Sequence, residues 1–145
     1  DETSRGLGDV YKRQVYALCK DDPVRPHLPA EWRIRSGREV YALKENEDIV
    51  AVICVAYMDE VPKSERDMKW PGLDVAVFYT VWSYKKGAGR KIVLEVAKHI
   101  KKVHTNVKRF VTLSPLTEMA ERFHLRNGAT LLAKHQYAQN FEYKI

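Results

Sequence analysis

Two stretches of the chain, residues 49–57 and 74–82, are apolar almost without a break and rich in β-branched side chains. Neither alternates as a strand with one wet face would, so each is predicted to be a strand buried on both sides. Residues 38–44 do alternate and read as a strand, joined to the first buried one by a polar turn at 45–48. From Arg90 the period becomes helical. Ile92, Val93, Val96, Ala97, Ile100 and Val103 share one face, with Glu95, Lys98, Lys101 and Lys102 opposite. Residues 109–113 form the next strand, and a strand, helix and strand of these lengths imply a parallel pair with a right-handed crossover.

The remaining elements are shorter. Residues 15–19 read as a strand, and 20–29, with prolines at 23, 26 and 29, as a loop. Residues 30–36 have room for one or two helical turns, and 59–69, dense in charge, reads as a surface loop. Ser114 and Pro115 offer an N-cap and first helical position for a helix through Met119, Ala120 and Phe123, which Asn127 and Gly128 end. Two strands, 129–134 and 139–145, close the chain around a turn at 135–138.

Composition fits a soluble domain. The 145 residues are 45% apolar and 30% charged, and no apolar run is long enough to cross a bilayer. Residues 9–14 resemble the in-frame translation of a transposase mosaic end, so 1–14 are expected to be non-native and 15–145 to form one domain. Cys19 and Cys54 have neither C-x-x-C spacing nor a histidine partner, which predicts buried thiols in a reducing, cytoplasmic setting. His27, His99, His104 and His135 are scattered, so no metal is expected. The net charge of +6 favours an anionic partner without choosing one.

The informative junction follows Trp82. Gly87 and Gly89 allow a tight turn from strand to helix, where backbone N–H groups and the helix dipole together suit a phosphate. Neither the Walker spacing nor the third glycine of the dinucleotide fingerprint is present, since Ile92 occupies that position.

The run Tyr84-Lys-Lys-Gly87-Ala-Gly89, followed by Arg90 and an amphipathic helix, resembles the Q/R-x-x-G-x-G/A turn of the GNAT acetyltransferase superfamily. A second stretch, 117–129, is similar to that family's later motif on the helix after its fifth strand. Four positions depart from the pattern: Tyr84 replaces Gln or Arg, Thr117 replaces Asn, His124 replaces Tyr, and Ala129 replaces Phe. The resemblance implies an α/β fold with a mixed, largely antiparallel sheet, whose central parallel pair splays around the cofactor between flanking helices.

It also implies acetyl-CoA as co-substrate, and attack on the thioester by a primary amine of a small molecule or protein, without a covalent intermediate. The backbone of Phe78, Tyr79 and Val81 would meet the acetyl group and pantetheine. The turn formed by Gly87, Ala88 and Gly89 would take the phosphates, with Lys85, Lys86, Arg90 and Lys91 as cationic donors. His124, at the family's tyrosine position, would protonate the departing thiolate with a proton available near neutral pH. Asp74 is the candidate base carried on the strand itself, Asp59 and Glu60 at the end of the preceding strand are further candidates, and the family often uses a water relay instead. The acceptor is left open, as is assembly as a homodimer. Two other readings fit parts of the sequence. One is a degenerate GNAT-like binding or structural domain, as in internal virion proteins of T7-like phages. The other is a nucleic-acid binder using Lys98, Lys101, Lys102, Lys108 and Arg109 with Trp70 or Trp82, disfavoured because no reading motif is present.

Overall fold

The two apolar runs form the middle of a six-stranded sheet. The computed structural model describes residues 12–145. β1 (Arg38–Glu45), β2 (Asp48–Met58), β3 (Val75–Ser83), β4 (Arg109–Thr112), β5 (Thr130–Lys134) and β6 (Gln139–Tyr143) are ordered β1-β2-β3-β4-β6-β5. Every neighbouring pair is antiparallel except β3 and β4. Among the described residues no helix is long and apolar enough to cross a membrane.

Both faces of β2 and β3 are covered, which explains their unbroken apolarity. On one face lies α3 (Ala88–Val103), packing Ile92, Val93, Val96, Ala97 and Ile100 against Ile53, Val55 and Phe78. On the other, α1 (Lys12–Leu18), α2 (Ala30–Arg33) and a 3-10 turn at Glu65–Lys69 supply Val15, Ala30 and Met68 against Val52, Val77 and Tyr79. Asn46 and Glu47, with φ of 51° and 80°, close the β1–β2 hairpin in the left-handed geometry that matches strand twist.

β4 pairs with β3 only as far as Thr112 opposite Phe78, while β3 continues to Ser83. The register also slips there: Cys54 pairs with Thr80 but Val55 with Phe78, leaving Tyr79 as an extra residue on β3. Such a bulge bends the strand that carries it. The chain after β4 instead bridges to β6, Ser114 and Gln139 exchanging both backbone hydrogen bonds at 2.8 and 2.9 Å. The parallel pair therefore splays apart beyond Phe78.

Several expectations are corrected. Residues 15–19 are not a strand: they end α1 and enter a 3-10 turn at Cys19–Asp21, because Val15 and Cys19 share one buried face at helical spacing. Ser114 does not cap a helix, since its backbone is taken by Gln139. The helix α4 (Glu118–Arg126) starts later, with Thr117 Oγ1 accepting the Ala120 N–H at 3.2 Å. Val103, the last residue of α3, is 55% exposed. The loop at 59–69 contains a 3-10 turn with buried Met68. Of the suspected non-native stretch, 1–11 lie outside the described residues, while Lys12–Leu18 is helical. Cys19 and Cys54 are buried free thiols, and burial pushes the Cys54 thiol up to about 12.

Candidate functional site

Where β3 outruns β4, a cavity of 320 Å³ opens between them. One wall is the strand from Phe78 to Ser83, with Tyr79, Val81 and Trp82. The other comes from Leu113, Ser114 and Pro115 and from α4, which contributes Phe123 and His124. Val24 closes a third side, and Gly89 lies at the mouth. Among the described residues the lining contains no lysine, arginine, aspartate or glutamate. The volume lies at the lower end of the roughly 300–1,000 Å³ usual for small-molecule pockets.

The turn at the mouth has the geometry that its glycines suggest. Gly87 caps α3 with φ of 84°, a left-handed conformation that glycine adopts without a Cβ clash, and a Cβ there would meet nothing within 4 Å. Gly89 serves a different need. A Cβ on it would sit 3.3 Å from Phe123 Cε1, so the missing side chain lets α4 close over the start of α3. Lys91 N–H bonds Gly87 O at 3.2 Å, whereas the Gly89 and Arg90 amides donate to no backbone acceptor among the described residues. Those are the free donors of a helix N-terminus.

Lys86 and Lys91 flank this turn, exposed and unpaired among the described residues. Lys85 is held by Glu45 at 3.1 Å, and Arg90 Nη1 donates to Arg126 O at 3.2 Å. Ala88 is buried against the core.

The bulged stretch of β3 is seated by residues that sequence reasoning missed. Asp22, Arg25 and Arg33 come from the proline-rich loop and α2, and all three are buried. Arg25 Nη1 donates to the carbonyl of Tyr79, taking one of that oxygen's two acceptor positions. Asp22 Oδ1 accepts from the Val24 and Arg25 amides and from Thr80 Oγ1, and Oδ2 from Arg33 Nη1 at 2.7 Å. Burial alone would raise the Asp22 carboxyl. These hydrogen bonds outweigh it and hold the group below the usual carboxylate range. No local motif signals the cluster, because Asp22 and Thr80 are brought together only by the fold.

His124 faces the cavity from α4 and is 6% exposed. Burial lowers its pKa to about 4, so the ring is neutral near pH 7 and lacks the extra proton expected for a general acid. Its Nδ1 stands 2.7 Å from Tyr143 Oη, and Asn127 Nδ2 donates to the same oxygen at 3.5 Å. The ring stacks on Phe141 at 5.3 Å and meets Phe123 edge-on at 5.0 Å.

The structure gathers Phe78, Tyr79, Val81, Gly89 and His124 around one cavity and sets Gly87, Lys86, Arg90 and Lys91 on or beside its rim. Asp74 is not brought there: it precedes β3 at the end opposite Ser83, with its backbone joined to Met58 and Lys108. Asp59 likewise turns away, its carboxylate accepting the Leu73 N–H at 3.0 Å. Two motif departures acquire local reasons. The Tyr84 hydroxyl accepts from Trp82 Nε1 at 2.9 Å and donates to Asp21 Oδ2 at 2.7 Å, tying the turn to the N-terminal segment. Thr117 caps α4.

The fold recurs in known structures. The Bacillus subtilis acetyltransferase, crystallised with CoA, superposes with a TM-score of 0.66 at 12% identity, covering 96% of each chain. The chain has a GNAT-like fold. The Campylobacter jejuni N-acetyltransferase PseH, in complex with acetyl coenzyme A, shares this GNAT-like arrangement with a TM-score of 0.58 at 14% identity, over 76% of this chain and 70% of that one. A malonyl-CoA decarboxylase from Agrobacterium vitis superposes with a TM-score of 0.76 at 16% identity, over 94% of this chain. The present chain spans 58% of that enzyme's length. No family model and no curated protein matches the sequence.

Proposed function

We propose that this GNAT-like domain binds an acyl-coenzyme A and transfers its acetyl group to a primary amine by direct attack. The observation that carries the reading is the apolar cavity between the splayed strands, with the free N–H groups of Gly89 and Arg90 at its mouth. An acyl-pantetheine arm is apolar with a few amides and suits the uncharged lining. The diphosphate of the cofactor suits the start of α3, with Lys86 and Lys91 adding charge. Acetyl-CoA would supply the activated thioester. This chain's residues hold that thioester beside β3 and shield it from bulk water. With no carboxylate in the lining, the proton of the attacking amine leaves through water rather than to Asp74.

The first test is calorimetric titration with acetyl-CoA, on the protein and on Gly87→Trp. Position 87 faces open space, so the variant pays only the backbone cost of a left-handed residue, about 1–2 kcal/mol, while bulk is placed at the mouth. Saturable binding that the variant loses supports the reading. No saturable binding, or equal binding by a folded variant, removes it.

A second reading is favoured by the Agrobacterium vitis superposition together with the cation-free lining. An apolar cavity strips water from a malonyl carboxylate without replacing it, which favours loss of carbon dioxide. Both readings require a coenzyme A thioester. Acetyl-CoA formed from malonyl-CoA without an amine selects the second, whereas thiol release dependent on an amine selects the first.

A further inference from the structure

His124 has one nitrogen engaged and one free. Nδ1 meets Tyr143 Oη, while Nε2 has no hydrogen-bond partner among the described residues and is not among their sealed polar atoms, so it opens on the cavity that the residue lines. The direction of the Nδ1 contact follows from Tyr143. Its hydroxyl is buried, the Asn127 amide donates to its oxygen, and among the described residues the acceptor beside it for its own proton is Nδ1. The phenol therefore donates, Nδ1 accepts, and the ring's own proton lies on Nε2.

We propose that Tyr143, steered by Asn127, locks His124 as the Nε2–H tautomer, so that a neutral imidazole donates a hydrogen bond into the cavity to the oxygen or departing sulfur of a bound acyl thioester. His124 is then the catalytic residue and Tyr143 a positioning residue. No proton changes hands at His124: the sulfur leaves as a hydrogen-bonded thiolate and is neutralised by the proton shed from the amine. A donor fixed in advance stabilises charge where it develops without reorganising. The contacts agree with this part. Phe141 and Phe123 hold the ring in place, and among the described residues no carboxylate is hydrogen-bonded to it to favour the cation. The low basicity of the ring arises from burial alone, and the charged group acting on Tyr143 is Arg90.

This inference rests on the acyl-CoA reading for its ligand but not for its tautomer, which allows the two to fail separately. The experiment is nitrogen-15 NMR of the His124 ring in the ligand-free protein from pH 5 to 8, paired with turnover of His124→Gln, His124→Ala and Tyr143→Phe. The expected result is a protonated Nε2 and unprotonated Nδ1 across the whole range. Tyr143→Phe should release that preference and lower kcat roughly 10-fold with KM for acetyl-CoA nearly unchanged. His124→Gln, which keeps a donor but cannot titrate, should retain more activity than His124→Ala, whose loss should be about 100-fold. A proton on Nδ1, a ring that titrates near neutral pH, or a glutamine variant as inactive as alanine overturns the proposal. If the tautomer is as stated but acetyl-CoA fails to bind, the acyl-CoA reading falls, and with it the thioester as ligand.

Discussion

The Asp22 carboxylate stands 2.7 Å from the Arg33 guanidinium, and neither side chain has exposed surface. Around this pair the proline-rich loop is fastened to the bulged stretch of β3, through Thr80 and the Tyr79 carbonyl. The pair therefore holds one wall of the cavity rather than a surface ornament.

Removing one partner of such a pair leaves the other charged and buried, so Asp22→Ala is expected to cost about 3–5 kcal/mol in chemical denaturation. The pH dependence has a definite sign. The folded-state pKa of Asp22 is depressed, so its contribution is complete above the unfolded value of about 3.9 and is lost as pH falls through the lower folded value. Melting curves of the wild type should show this acid limb below about pH 4, and Asp22→Asn should lack that part of it. An unchanged acid limb in the variant would remove Asp22 from the account.

Gly128 ends α4 with φ of 97°, and a Cβ there would touch nothing within 4 Å. Its cost on substitution is therefore backbone strain alone. Gly128→Ala should lose about 1 kcal/mol, and Gly128→Asn, which tolerates the left-handed region better, should lose less. Equal stability of glycine and alanine forms would contradict the geometry.

How much of this was readable from the sequence depends on the range over which each signal acts. β2 and β3 announced themselves through residues 49–57 and 74–82, because burial on both faces leaves a local mark. Gly87, Gly89 and the helix after them were equally legible, since turn geometry is decided by adjacent residues. Val15 and Cys19 misled because five residues fit a strand or a helical turn alike. The later helix start was hidden by Ser114, whose pairing with Gln139 lies 25 residues away in sequence (139 − 114). The same limit applied to the site. His124 was singled out by its place in the stretch that resembles the GNAT motif, but its protonation depends on Tyr143 and on burial, neither of which its neighbours in sequence reveal.

Among the basic residues of the turn, the structure divides those already engaged from those free. Lys85 is paired with Glu45, while Lys86 and Lys91 are not paired among the described residues. Charge reversal at Lys86 or Lys91 should weaken acetyl-CoA binding by roughly 3–10-fold at low salt, and the effect should shrink as ionic strength rises and screening shortens. Lys85→Gln should change affinity by no more than about 2-fold, since the Glu45 carboxylate already offsets that charge. Titrations at two salt concentrations separate these outcomes, and a dominant effect at Lys85 would reverse the assignment.

Asp74 provides the test of where the reaction takes place. It lies just before β3, and the cavity lines the other end of that strand, from Phe78 onward. At about 3.3 Å per residue, Phe78, where the cavity begins, is already roughly 13 Å along the strand from Asp74, too far for a side chain to take a proton from an amine at the thioester. Asp74→Asn should therefore keep kcat within about 2-fold of the wild type, far from the 100-fold or greater loss typical of removing a general base. Its backbone N–H and C=O still join Met58 and Lys108, so the fold should be intact and the comparison fair. A large fall in kcat with unchanged acetyl-CoA affinity would move the acceptor to that end of the sheet, and the cavity beside His124 would lose its claim to the chemistry.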